Sequence, residues 1–146
     1  MAVSLTQILV WNPLAKVPGL PLDAIYAEMT AAGQLVVPAG HMILVMWAAS
    51  SMLGAVGFAA ISLRPWQTTP RIAVEGFALV GLIAATQWFA SFNMGMALAD
   101  TFMTDGGDAT IVGQAIMWIG QFALATALAL SIVHMPRAQN RPAAAV

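Results

Sequence analysis

Residues 109–134 read ATIVGQAIMWIGQFALATALALSIVH, and no Asp, Glu, Lys or Arg interrupts them. The flanking charges are Asp108 and Arg137. A helix needs roughly 20 apolar residues to cross ~30 Å of hydrocarbon at ~1.5 Å per residue. The stretch therefore predicts a transmembrane helix over about 110–134. Two further stretches, between Glu28 and Arg64 and between Glu75 and Asp100, are equally free of charge and predict helices over about 40–63 and 72–99. Residues 1–38 hold no further crossing, because Pro13, Pro18, Pro21 and Pro38 break them into short runs.

Composition agrees. Of 146 residues, 60% are hydrophobic and 8% charged, with a net charge of −1 and a mean hydropathy of +0.83. Soluble domains carry about 25% charged residues. The balance excludes a water-soluble enzyme, a disordered tail and a nucleic-acid binder, which would need a basic patch. No cysteine is present, so disulfide frameworks, thiolate metal sites and cysteine nucleophiles are excluded as well. The fold class is an all-α integral membrane protein with three transmembrane helices.

Orientation follows from the basic residues, which stay on the cytoplasmic side. Arg64 and Arg71 lie in the first connection, Arg137 and Arg141 in the tail, and the second connection holds Asp100, Asp105 and Asp108 with no cation. The N-terminus is thus expected outside and the C-terminus inside, with Lys16 the one exception. This divides the chain into an extracytoplasmic or interfacial segment (1–38), a three-helix transmembrane domain (39–135) and a cytoplasmic tail (136–146). The first residues lack the basic start, sustained apolar core and cleavage site of a secretory signal. A bacterial cytoplasmic membrane is the expected location. Four arginines to one lysine, with much Ala and Gly, suggest a GC-rich genome.

The connections carry their own signals. Arg64-Pro65-Trp66-Gln67-Thr68-Thr69-Pro70-Arg71 joins helix-breaking prolines, cations and an interfacial indole. Asp105-Gly106-Gly107-Asp108 reads as a turn, too short and too poor in carboxylates for a calcium site. Thr110 is placed to cap the last helix and Pro136 to end it. Before the first crossing, Leu5, Ile8 and Leu9 fall near one helical face. Leu22, Ile25, Tyr26 and Met29 then follow i, i+3, i+4, i+7 behind Pro21 and stop at Gly33. This predicts an amphipathic helix over about 21–33, lying apolar face down on the membrane surface, with docking on a partner as the alternative.

Inside the membrane, polar side chains stand out, since a primary amide costs several kcal/mol in hydrocarbon unless hydrogen-bonded. Gln114, Trp118, Gln121 and Ala125 form one stripe of the last helix; Gln87 and Ser91, and Thr86 and Asn93, share faces of the middle one. Mirroring these helices about residue 104 sets Gln87 level with Gln121. Gln87, Ser91, Asn93, Gln114 and Gln121 are expected to make interhelical contacts, Gln87 and Gln121 facing protein rather than lipid. A lining for a polar substrate or a quinone headgroup is the alternative. Ser50 with Gly54 and Gly57, and Gly113 with Gly120 and Ala127, mark faces for close helix approach. At the inner boundary, Glu75 is four residues from Arg71, which predicts a local ion pair, with His134 as the other candidate partner.

His41, Met42 and Met94 are the weak metal candidates, with Asn93 and Met96 near by; imidazole and thioether suit Cu(I). Met94-x-Met96 is not a helical spacing, however, and no methionine-rich tail is present. His41 and His134 fall at opposite ends, so they cannot bracket one haem. No nucleophile–base pair or phosphate loop is apparent. The sequence therefore favours a non-catalytic accessory subunit of a larger inner-membrane complex of respiratory, photosynthetic or membrane-oxygenase type, such as serves electron transport. Its partners are the bilayer and unlike membrane subunits, more than copies of itself. No cofactor of its own is expected, though a bound lipid or quinone is compatible. The alternative is a small homo-oligomeric transporter or channel, metal ions included, with the pathway between protomers. A membrane enzyme ranks last.

Overall fold

The computed structural model describes residues 1–34 and 38–134, with side chains given for 1–34 and 42–134. The readings of 136–146 as a tail, of Pro136 as a helix end and of the His41 side chain as a metal candidate lie outside the described residues. Every element among the described residues is helical: α1 (Ala2–Thr6), a π turn (Gln7–Trp11), α2 (Asn12–Lys16), α3 (Leu22–Ala31), α4 (Pro38–Ser62), α5 (Thr69–Phe102) and α6 (Ile111–Val133). Three of them, α4 from Met42 onward, α5 and α6, are long and apolar enough to cross a membrane.

Local chemistry explains the helix ends. Thr68 is extended and precedes α5, and Pro70 sits in the first turn, where its missing N–H leaves no bond unmade. Met103 ends α5 in the left-handed region at φ 54°, a conformation uncommon for a residue with a side chain. Thr110 caps α6, its Oγ1 accepting from Gly113 N at 3.0 Å.

α5 has 34 residues and α6 has 23, or about 51 and 35 Å of rise. The surplus of α5 runs past the start of α6, and the loop 103–110 folds back along it. A Cβ on Gly95 would come within 2.5 Å of the Gly106 carbonyl, so the loop can lie flat on α5 only because residue 95 has none. This foldback corrects the mirror register. Gly120 of α6 lies against Ala84 and Ala85, and Gly81 of α5 against Leu124, so Gln87 is nearer the level of Trp118 than of Gln121.

α5 lies between α4 and α6 and packs on both, most extensively on α6. The α6 face is built from Gly113, Gly120, Ala123 and Ala127, all buried, which lets the two backbones approach. On the other flank Phe58 of α4 covers Gly76, Leu79 covers Gly54, and Trp47 Nε1 donates to Thr86 Oγ1 at 3.1 Å. Ser51, rather than Ser50, is the buried serine of α4, and nothing approaches a Cβ on Gly57. Outward faces carry Val45, Leu53, Leu82, Phe122 and Ile132, all exposed.

The buried core sits at the loop end of α5. Ile8, Ile25, Met29 and Leu98 are almost fully enclosed, joined by Trp47, Ala90, Met94 and Ala97. Each large aliphatic buried this way contributes about 1.5–3 kcal/mol. The apolar residues Ile25 and Met29 of α3 are thus buried in this chain's own core, in one cluster with Ile8 and Leu98. Periodicity identified the apolar face, and the π turn, which carries Ile8, and the overhang of α5 supply what covers it.

Candidate functional site

The N-terminal helical segment clamps the α5–α6 loop, and its geometry depends on Pro13. In an α-helix the N–H of residue 13 would bond the Leu9 carbonyl, but proline has none. The backbone widens instead into the π turn, where Asn12 N–H bonds Gln7 O, and Tyr26 Oη of α3 donates to the Leu9 carbonyl at 2.9 Å. Closing a turn over five residues brings Gln7 and Asn12 to one face. Lys16, four residues on, continues it.

Each of these side chains holds the loop. Gln7 is fully buried, and its Nε2 donates to both oxygens of Asp108 at 2.7 Å and to Thr110 Oγ1 at 3.2 Å. Asn12 Oδ1 accepts from Ala109 N at 3.0 Å. Lys16 packs its stem against protein and pairs its ammonium with the exposed carboxylate of Asp105. The Lys16 hydrogen bond and the Gly107 N–H hold the Asp105 carboxyl below the usual carboxylate range. The loop also organises itself, with Asp105 Oδ1 accepting from Gly107 N and Asp108 Oδ1 from Thr110 N.

Gln87 of α5 completes the cluster. An ionised carboxylate only accepts, so Gln7 turns its NH2 toward Asp108 and its carbonyl toward Gln87. Gln87 Nε2 donates to that carbonyl at 3.2 Å, which leaves Gln87 Oε1 buried without a hydrogen-bond partner. A cavity of about 50 Å³ lies beside the Gln87 side chain, walled by Asn12, Ser91 and Asp108 together with Trp88, Phe92 and Met117 among others. Gly113 is the glycine that makes room for Asp108, because a Cβ there would overlap the carboxylate.

The other residues singled out in the sequence are dispersed. Ser91 Oγ donates to the Trp88 carbonyl, and Asn93 is half-buried. Gln114 and Gln121 are exposed, as is Trp118. The expectation that Gln121 faces protein is therefore not met within this chain: α6 uses its Gly–Ala face on α5 and turns the glutamine stripe outward. Arg71 Nε donates to Glu75 Oε1 at 2.8 Å, with Gln67 Nε2 at 3.3 Å from the other oxygen. His134 is elsewhere, its Nδ1 2.8 Å from the Leu130 carbonyl. Met42 is exposed whereas Met94 belongs to the core, and no group of metal-holding carboxylates or imidazoles occurs among the described residues. Gln7, Asn12 and Lys16 escaped sequence reasoning, although Pro13 inside a helical pattern was a signal that the α register breaks there.

A second concavity is an open groove of about 730 Å³ between α4 and α6, floored by α5. Phe58, Gly76, Val80, Ile83, Ile119 and Phe122 line it, and its one hydroxyl, on Thr126, donates to the Phe122 carbonyl. It offers apolar surface and little else. Comparison with family models, curated proteins and solved structures returns no match for this chain.

Proposed function

We propose that the chain is a non-catalytic, multi-pass subunit of a larger assembly in the bacterial cytoplasmic membrane. Its N-terminal segment and α5–α6 loop lie outside, and the Arg64–Arg71 connection and C-terminus inside. Charge distribution supports the orientation. Lys16, the exception to it, is neutralised by Asp105. The outer segment serves as a clamp on the loop, and the respiratory, photosynthetic or oxygenase type of host remains part of the proposal.

Gln121 carries the reading of a subunit. It stands midway along α6, exposed, on the face turned away from α5. An amide in hydrocarbon costs several kcal/mol without a partner, so this face calls for a polar group from another chain. Transport between protomers has less support, because the groove toward the Arg64–Arg71 end is apolar and continues no polar path from Gln121. That groove suits a lipid acyl chain, and it lacks a free donor for a quinone headgroup.

The test is a photo-crosslinking residue at position 121, activated in native membranes. An adduct with an unlike membrane protein, abolished by competition with unlabelled chain, is expected. Adducts with lipid alone, or only with a second copy, would overturn the subunit reading.

A further inference from the structure

We propose that the groove between α4 and α6 holds one acyl chain of an anionic phospholipid, whose phosphate is bound by Arg64 at the groove's mouth. The proposal deepens the reading of that groove as a lipid site. It rests on α4, α5 and α6 spanning a bilayer, and on no partner at Gln121.

Depth selects the occupant. The floor on α5 runs from Ile72 to Ile83, about 16 Å of rise, or one leaflet of a ~30 Å hydrocarbon core. One turn further, the Trp47 indole of α4 donates to Thr86 of α5 and draws that wall onto the floor. A transmembrane helix from a partner would pack along the whole ~30 Å, whereas a groove that stops halfway fits a lipid tail. Its volume of about 730 Å³ is that of a small-molecule pocket. The tail alone gives little selectivity, because bulk hydrocarbon is as apolar as the walls. Discrimination falls to the headgroup.

Charge at the mouth selects that headgroup. The connection from Leu63 to Thr68 joins the α4 wall to the α5 floor and closes this end. Arg71 and Glu75 pair with one another there and offset each other's charge. Arg64 is exposed and makes no ion pair among the described residues. Its guanidinium carbon lies over Trp66, 5.5 Å from the ring centroid, and that indole is itself exposed, as suits a residue at headgroup level. A guanidinium meets a phosphate with two parallel hydrogen bonds. One unmatched positive charge favours a headgroup of net charge −1 over a zwitterion.

The experiment titrates the purified full chain in mild detergent with phosphatidylglycerol and with phosphatidylcholine of the same acyl chains, and counts bound lipid by native mass spectrometry. One saturable phosphatidylglycerol per chain is expected, with an apparent Kd about tenfold or more below that for phosphatidylcholine. Arg64→Gln should bring the two lipids level. Ala55→Phe, at an exposed position of the groove, should weaken both, and Leu53→Phe, exposed on α4 outside it, should bind as the parent does. If Ala55→Phe fails to fold, Arg64→Gln, outside the helices, still decides the matter. Equal affinity for the two lipids, or a preference that survives Arg64→Gln, would overturn the proposal. So would a dimer that Ala55→Phe dissociates, which would assign the groove to a second copy. A chain that stays folded in buffer without detergent would instead overturn the spanning reading beneath it.

Discussion

Gln7 and Asp108, 101 residues apart in sequence, are joined by a buried amide nitrogen lying 2.7 Å from each carboxylate oxygen. This contact couples the N-terminal segment to the turn between α5 and α6 and fixes the orientation of Gln87 behind it. Gln7→Leu removes the donor to Asp108 and the acceptor for Gln87 Nε2 in one step. A hydrogen bond to a charged group contributes about 1.5–3 kcal/mol, and a loss of this size is expected in denaturant titrations of the protein in mixed micelles. Proteolysis within 103–110 should accelerate in parallel, since the same bond holds that loop.

Gly113 lies directly under the Asp108 carboxylate. Gly113→Ala should push that carboxylate off Gln7 and destabilise the chain, although alanine is the better helix former by about 1 kcal/mol. Gly57→Ala meets nothing within 4 Å, so there the helix preference acts alone and stability should hold or rise. The two melting temperatures, read side by side, separate steric overlap from intrinsic propensity.

Two titrating groups outside the apolar spans give stability opposite pH limbs. The folded Asp105 carboxyl is held low by Lys16 and Gly107 N–H. Its contribution is fully present above the unfolded carboxylate value, about pH 4, and is lost as pH falls through the lower folded value. Asp105→Asn should flatten that acid limb by removing at neutral pH the same contribution that acid removes from the parent, a small one because Asp105 is exposed. Tyr26 is shifted the other way, its hydroxyl raised by burial. Stability therefore declines as pH climbs from the ordinary phenol value, about 10, toward the higher folded one. Phenolate absorbance should report the raised midpoint. Tyr26→Phe should remove it and cost about 1 kcal/mol for the lost bond to the Leu9 carbonyl.

Much of the helical skeleton was legible because charge depletion is a property of long stretches and tolerates local error. α4, α5 and α6 fall within a few residues of the expected spans, and Thr110 caps α6 as its position suggested. The ends missed are instructive. α5 continues to Phe102 because it overhangs α6, and its stop is a left-handed methionine rather than a glycine. That overhang displaced the expected Gln87–Gln121 register. The candidate site was less legible. Gln7, Asn12 and Lys16 share a face only through the π turn that Pro13 imposes, and their partners lie some ninety to a hundred residues away. For α3 and Gln121, sequence showed which surfaces need covering but carried no information on what covers them.

The placement of the chain across the bilayer is tested most directly by single-cysteine labelling, for which the cysteine-free sequence is a clean background. Met103→Cys, at the α5–α6 loop, and Leu63→Cys, beside Arg64, are both highly exposed positions at 92% and 86%, and Leu53→Cys lies midway along α4. With a membrane-impermeant maleimide on intact cells, Met103→Cys should react at once, Leu63→Cys only after lysis, and Leu53→Cys in neither case. Reaction of Leu63→Cys from outside, or ready labelling of Leu53→Cys, would contradict the account.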